Sequence, residues 1–305
     1  MSGRGPDEIW QESLEEGHRR LSRGNLGLAS TGLVGGVDVM LGILALTVTA
    51  GAVTAATDEH VGHLAGSLVF GIGFVLVVVG RSELFTENFL VPVNALLARR
   101  ASPPQLARLW GLTLVGNLIG LALFALMLTR SGVLEPSTLE AAGTTADTLA
   151  QRGVVAALLS AVVAGTVMTL LTWLIHAVEL DIGRIAIALV VGFLLAAPSL
   201  NHAVVSFGEM AFGILAGTAE ATWADVARNV ALAAVGNLAG GLGFVTLTRL
   251  LQARDEPDSE TRDGSDGALD VALDAAAGQA RATPMRSSRP SIVAETPSGR
   301  GPSPS

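Results

Sequence analysis

Apolar residues in this chain are not spaced at three- and four-residue intervals. They run unbroken for about 20 positions at a time, the length that crosses a hydrocarbon core. Six such runs lie at 26–56, 64–98, 106–129, 153–178, 183–217 and 225–251. Two of them break in the middle. The first stops after Gly80 at Arg81-Ser82-Glu83-Leu84-Phe85-Thr86-Glu87-Asn88 and resumes at Phe89; the second stops after Ala197 at Pro198-Ser199-Leu200-Asn201-His202 and resumes at Ala203. Backbone that leaves the helix at membrane depth has to line a protein-enclosed path, since lipid offers it no hydrogen-bond partners. Paired breaks in the two halves of a chain point to a transport site.

The pattern predicts an all-α polytopic membrane protein of three parts: a short amphipathic helix within 1–25, a six-span domain over 26–252, and a polar tail over 253–305. With 50% hydrophobic and only 15% charged residues among 305, the chain lies far from the roughly 25% charged composition of soluble domains. Its tail is rich in Asp, Glu, Ser, Pro, Gly and Ala, a composition expected to stay disordered because it has too little apolar surface to offset ordering entropy. Six acids against one arginine over 255–266 account for much of the net charge of −8. The charged first thirty residues lack the short apolar core of a cleavable signal peptide. Cysteine is absent, which excludes disulfides and thiolate chemistry. No spacing suggests a metal or cofactor site, and nothing suggests nucleic-acid binding.

All 19 basic side chains are arginine, and their placement sets a topology. Arg19, Arg20, Arg23, Arg99, Arg100, Arg108, Arg184, Arg249 and Arg254 fall on one side of a six-span fold, and mainly Arg130, Arg152 and Arg228 on the other. The positive-inside bias makes the richer side, with both termini, cytoplasmic. Trp110, Trp173 and Trp223 near span ends read as interfacial anchors. In the N-terminal helix over 7–23, Glu15 and Glu16 precede Arg19 and Arg20 by four residues, the favourable order for helix ion pairs.

The halves repeat. Val115-Gly116-Asn117-Leu118 recurs as Val235-Gly236-Asn237-Leu238, with Gly120 and Phe124 recurring as Gly240 and Phe244. Asparagine is costly in a membrane helix, which gives the match weight. The same shift of 120 positions carries Ser82 onto His202. Three spans per half means an inverted repeat with its axis in the membrane plane; the paired glycines are read as close-packing faces.

His202, after the proline break in an apolar span, is the leading candidate for pathway chemistry. Intramembrane ionisable groups default to function, and an imidazole exchanges protons near neutrality. Thr86 both donates and accepts hydrogen bonds, toward an anion or toward His202. Glu83 and Glu87 are expected to pair with Arg81 or to cap the resumed helix. Asp38, in the middle of the first run, is a further acid and a candidate for a charge or proton role.

Together these features resemble the formate/nitrite transporter family: the Gly80–Asn88 segment, the Asn201-His202 break, the three-plus-three plan and the amphipathic N-terminal helix, over about residues 7–252. The resemblance implies an aquaporin-like fold and a homopentamer in a prokaryotic plasma membrane, with a pore in each subunit that passes small monovalent weak-acid anions such as formate or nitrite, with or without protons. It implies that His202 is the central histidine, Thr86 its threonine partner and Asn201 a pathway neighbour. Phe70, Phe74, Leu84 and Leu195 would be the hydrophobic constrictions. The sequence departs from the family in three places. Asn201 stands where a glutamate usually precedes the histidine, Gly165 stands where an asparagine is common, and an outer-mouth lysine has no counterpart, although Arg152 lies close by. The alternative from the same architecture is a channel for small neutral solutes. An intramembrane serine hydrolase built on His202 and Ser206 lacks any nucleophile elbow.

Overall fold

The computed structural model describes residues 5–254, so the reading of the tail lies outside them, apart from its first two positions. The element order is α1 (Pro6–Leu21), α2 (Asn25–Thr54), α3 (Glu59–Phe70), α4 (Ile72–Gly80), a 3-10 turn (Phe85–Phe89), α5 (Val91–Leu97), α6 (Pro103–Leu128), α7 (Pro136–Ala150), α8 (Val154–Ala177), α9 (Asp181–Ala196), α10 (Ala203–Ala216), α11 (Trp223–Ala239), a π-helical segment (Gly240–Thr246) and α12 (Leu247–Arg254). Among the described residues, five helical stretches are long and apolar enough to span a membrane: Asn25–Thr54, Glu59–Gly80, Pro103–Leu128, Val154–Ala177 and Trp223–Gln252. The remaining span is the second interrupted one, divided into α9 and α10.

Outward faces of these helices are apolar. Leu33, Leu68, Ile119, Leu159, Leu194 and Val235 are all exposed, as expected where the surroundings are hydrocarbon or another protein surface rather than water. One large buried cluster fills the interior around the two breaks, drawing Phe70, Phe74, Leu84, Phe89, Leu195 and Val205 from both halves.

The second half repeats the first upside down. α2 packs on α6 as α8 packs on α11, and α1 lies against α5 as α7 lies against α10. No run in the hydropathy pattern predicts helix α7. Its Ala- and Thr-rich sequence has no long apolar stretch, and its structure comes from docking Ala142, Ala146 and Leu149 against α10 and its surroundings. It caps the face opposite α1. The α1 face gathers Arg19, Arg20, Arg23, Arg81 and Arg184 around a cavity of about 220 Å³; on the α7 face a cavity of about 500 Å³ is lined by α2, α3, α7, Ser199 and Glu209.

Gly116 and Gly120 sit on the backbone of α2, and Gly236 and Gly240 on that of α8, so the paired glycines are packing faces. Two of the three tryptophans near span ends are not interfacial anchors. The indole of Trp110 donates to the Asn88 carbonyl at 2.8 Å and packs edge-on against Phe85 and Phe89. Trp173 is buried under Arg249, whose guanidinium lies 5.0 Å from its ring centroid.

Candidate functional site

Both breaks begin in the same way. A residue in the left-handed region ends the incoming helix, Arg81 at φ 56° and Ser199 at φ 50°. The next amide reaches back to close the helix end: Ser82 N–H donates to the Val77 carbonyl at 3.2 Å and Leu200 N–H to the Leu195 carbonyl at 3.0 Å. Each extended segment that follows is held by one asparagine from the neighbouring long helix. The Asn117 oxygen accepts from Phe85 N–H at 2.9 Å, and its amide donates to the Glu83 carbonyl at 2.8 Å and to the Gly32 carbonyl at 2.7 Å. In the other half Asn237 accepts from Ala203 N–H at 2.9 Å and donates to the carbonyls of Asn201 at 3.0 Å and Ala161 at 2.8 Å. Helix-free backbone at membrane depth is thus satisfied by two buried asparagines.

This hydrogen-bond pattern corrects the register of the repeat. The residue equivalent to His202 is Leu84, not Ser82: each lies between the carbonyl and the amide that its asparagine grips. The first break and its asparagine are two residues closer in sequence than the second pair, so no single shift maps both. Gly165 also has a structural reason. A Cβ there would collide with the Asn237 backbone, just as one at Gly36 would collide with that of Asn117. Neither position has room for a side chain.

The breaks meet at the centre. Thr86 Oγ1 lies 2.7 Å from His202 Nε2, and both residues are fully buried. His202 Nδ1 accepts from Val205 N–H at 3.1 Å, so the imidazole is also the N-terminal cap of α10. A ring nitrogen that accepts an N–H cannot carry a proton as well. The single proton of this arrangement is therefore assigned to Nε2 and is donated to Thr86 Oγ1. The threonine hydroxyl proton is left to donate elsewhere.

Of the expected constrictions, Phe70, Phe74, Leu84 and Leu195 are all buried in the one cluster that surrounds this pair, with Phe70 and Phe74 stacked edge to face at 5.3 Å. The Asn201 side chain is engaged with its neighbours: its amide donates to the Ala157 carbonyl at 3.2 Å and its oxygen accepts from Asn229 at 2.9 Å. Arg152 donates to the Ser199 carbonyl at 2.9 Å, holding the start of the second break from the α7 face. Asp38 is half-buried and accepts from Ser82 Oγ at 2.7 Å.

Glu83 does not pair with Arg81. Its buried carboxylate takes Arg23 as partner, with Arg20 at 3.9 Å. Arg20 also donates to Asn88 Oδ1 at 3.1 Å. Glu87 accepts from Leu84 N–H at 3.4 Å, the expected capping role. Helix α1 is therefore tied to the first break, a link that its internal charge pattern does not reveal. Within α1 itself, Glu16 rather than Glu15 is the acceptor, bonded to Arg19 at 2.6 Å and to Arg20 at 2.8 Å. Burial alone would raise the Glu16 carboxyl; these guanidinium groups overcome it and hold the group at about 2, against an ordinary 4.5.

Residues 7–251 match the sequence model of the family described as "Formate/nitrite transporter". Among similar proteins, an uncharacterised transporter, YrhG of Bacillus subtilis, is 28% identical over 253 residues, covering 81% of this chain and 92% of the relative. The formate channel BtFdhC of Bacillus thuringiensis is 25% identical, covering 79% and 92%. A solved structure described as an FNT family ion channel superposes with a TM-score of 0.70 at 20% identity, covering 79% of this chain and 96% of that one. A pentameric formate channel with formate bound gives a TM-score of 0.65, also at 20% identity, covering 74% and 96%.

Proposed function

The chain belongs to the formate/nitrite transporter family, and from that membership we propose that it carries small monovalent weak-acid anions, formate or nitrite among them, through a pore in each protomer. The observation that carries this reading is the 2.7 Å contact between Thr86 and His202, which joins the two breaks at a fully buried point. Moving a bare anion through apolar surroundings costs many kcal/mol. Phe70, Phe74, Leu84 and Leu195 are the narrow apolar stations, and the Thr86–His202 pair is the polar step between them. With Nε2–H donated to Thr86, the threonine hydroxyl donates to the passing anion. In this state the pair lowers the barrier by hydrogen bonding. Net proton donation by His202 requires a second proton at Nδ1, and that proton displaces the Val205 N–H cap. Asn201, Asn117 and Asn237 hold the segments that bring the pair together.

The arginine-rich α1 face is read as cytoplasmic, in the plasma membrane of a prokaryote, with both termini on that side. The exposed apolar helix faces suit a homopentamer, in keeping with the pentameric formate channel, with lipid around it.

The test is anion flux in proteoliposomes of the purified protein, comparing formate, nitrite, hydrosulfide, acetate and lactate from pH 5 to 8. Flux of any of them, with a pH profile altered by replacing His202, supports the reading. Flux of water or glycerol alone, indifferent to pH, replaces it with the neutral-solute channel.

A further inference from the structure

Glu209 is an acid within the apolar helix α10 that the Thr86–His202 site does not use. It lies seven residues after His202, and Ser206 lies four after it, so all three share one face of the helix. At 1.5 Å per residue, this face spans roughly 10 Å of rise from the central imidazole to Glu209. Ser206 is fully buried, and its hydroxyl has no hydrogen-bond partner among the described residues. A buried hydroxyl without a partner is unfavourable, and this one has its hydrogen-bonding capacity unspent. Glu209 itself is half-buried, makes no hydrogen bond or ion pair among the described residues, and lines the 500 Å³ cavity of the α7 face.

The groups facing Glu209 are few. α3 contributes Glu59, His60 and His63, and α7 contributes Glu140. Arg152 acts on it through space from the turn before α8. His63 bonds to the start of the second break, 3.1 Å from the Ala197 carbonyl, and Arg152 is committed to the Ser199 carbonyl at 2.9 Å. Neither is positioned as a fixed counter-ion for Glu209.

We propose that Glu209 is a third pathway group, the acid that meets the anion on the α7 side and passes it along Ser206 to the Thr86–His202 pair. In its acid form the carboxyl donates a hydrogen bond to the anion; as a carboxylate it repels it. Passage on this side therefore rises when Glu209 holds its proton, which it exchanges with water in the cavity. The inference rests on the transport reading above and adds a pH-sensitive station to it.

The experiment uses the full chain in proteoliposomes, with formate added on the α7 side and the assembled oligomer verified for each variant. Glu209→Gln keeps a donor and cannot ionise. It is expected to carry formate at pH 9 at least fivefold faster than wild type, with the two converging at pH 5, while Glu209→Asp keeps the wild-type dependence. Ser206→Ala is expected to lower flux threefold or more at every pH; an unchanged rate overturns the file of groups. Superimposable pH profiles for wild type and Glu209→Gln overturn the inference and leave the transport reading standing. Absence of anion flux from assembled wild type overturns both. The same protonation is read without transport as a protonated-carboxyl infrared band, present at pH 5, lost as pH rises to 9 and absent in Glu209→Gln. Failure to find that band overturns the inference as well.

Discussion

His202 uses its two ring nitrogens for two separate jobs, and two substitutions separate them. In His202→Asn the shorter side chain would place an oxygen where Nδ1 now accepts from Val205 N–H at 3.1 Å, but would end there, leaving Thr86 without the partner at 2.7 Å. In His202→Gln the longer amide would reach the position of Nε2 and donate to Thr86, but would leave α10 uncapped. Loss of an N-cap costs about 1 kcal/mol, which for a chain of this size is roughly a 2–4 °C fall in Tm. Loss of the Thr86 contact strands a buried hydroxyl at about 1–3 kcal/mol. If that contact supports the anion at the narrowest point, the same amount raises the barrier and lowers flux by about fivefold to 150-fold. His202→Asn is therefore expected to keep the cap, to lower the Tm by what the stranded Thr86 hydroxyl costs, and to lose flux. His202→Gln is expected to lose a few degrees and keep flux within about tenfold. Tm at a fixed scan rate and formate flux, measured on one preparation, decide the matter. Wild-type flux in His202→Asn would refute the pathway role, and an unchanged Tm in His202→Gln would refute the cap.

Asn117→Leu and Asn237→Leu each remove three hydrogen bonds from buried backbone. Each should cost about 3–5 kcal/mol and abolish assembly as judged by size-exclusion chromatography; retention of the wild-type oligomer by either would show that the break holds itself. Gly36→Ala and Gly165→Ala force a methyl into asparagine backbone and should be equally damaging, whereas Gly27→Ala, with open space around it, should be neutral or stabilising by up to about 1 kcal/mol. Arg23→Gln leaves the Glu83 carboxylate, 2% exposed, short of its partner, a loss on the order of 3–5 kcal/mol; adding Glu83→Gln should restore most of the Tm. The Glu16 carboxyl, held at about 2 against 4.5, contributes stability that is complete above pH 4.5 and lost as pH falls through about 2. Hydrogen exchange of residues 6–21 should accelerate over that window in wild type, and Glu16→Gln should flatten the change.

Much of this molecule is written in hydropathy. The six runs, the two interruptions and the asparagine repeat all stand in the sequence, because lipid punishes any polar residue that lacks a reason to be there. His202 and Thr86 were legible for that cause. What escaped depends on register and partner choice. Leu84 as the counterpart of His202 is hidden by a two-residue difference between halves. Arg81 lies two positions from Glu83 in sequence yet takes a left-handed conformation, and the pairing passes to Arg23, sixty residues away. Helix α7 has neither a long apolar run nor a strong cap, and exists because α10 offers it a surface. Glu209 had a visible signal, an acid two turns beyond the histidine on the same helical face.

The two mouths of the fold carry unlike charge. Around the α1 cavity five arginines outnumber four glutamates, while three glutamates and two histidines, with no arginine, line the α7 cavity. Such fields raise or deplete the local concentration of an anion before it meets any barrier, and salt screens them. For a pore of this kind the result is rectification: at equal concentrations, anions enter faster from the α1 side, while the reversal potential stays where the gradients put it. Raising ionic strength should straighten the current–voltage curve by shielding both mouths.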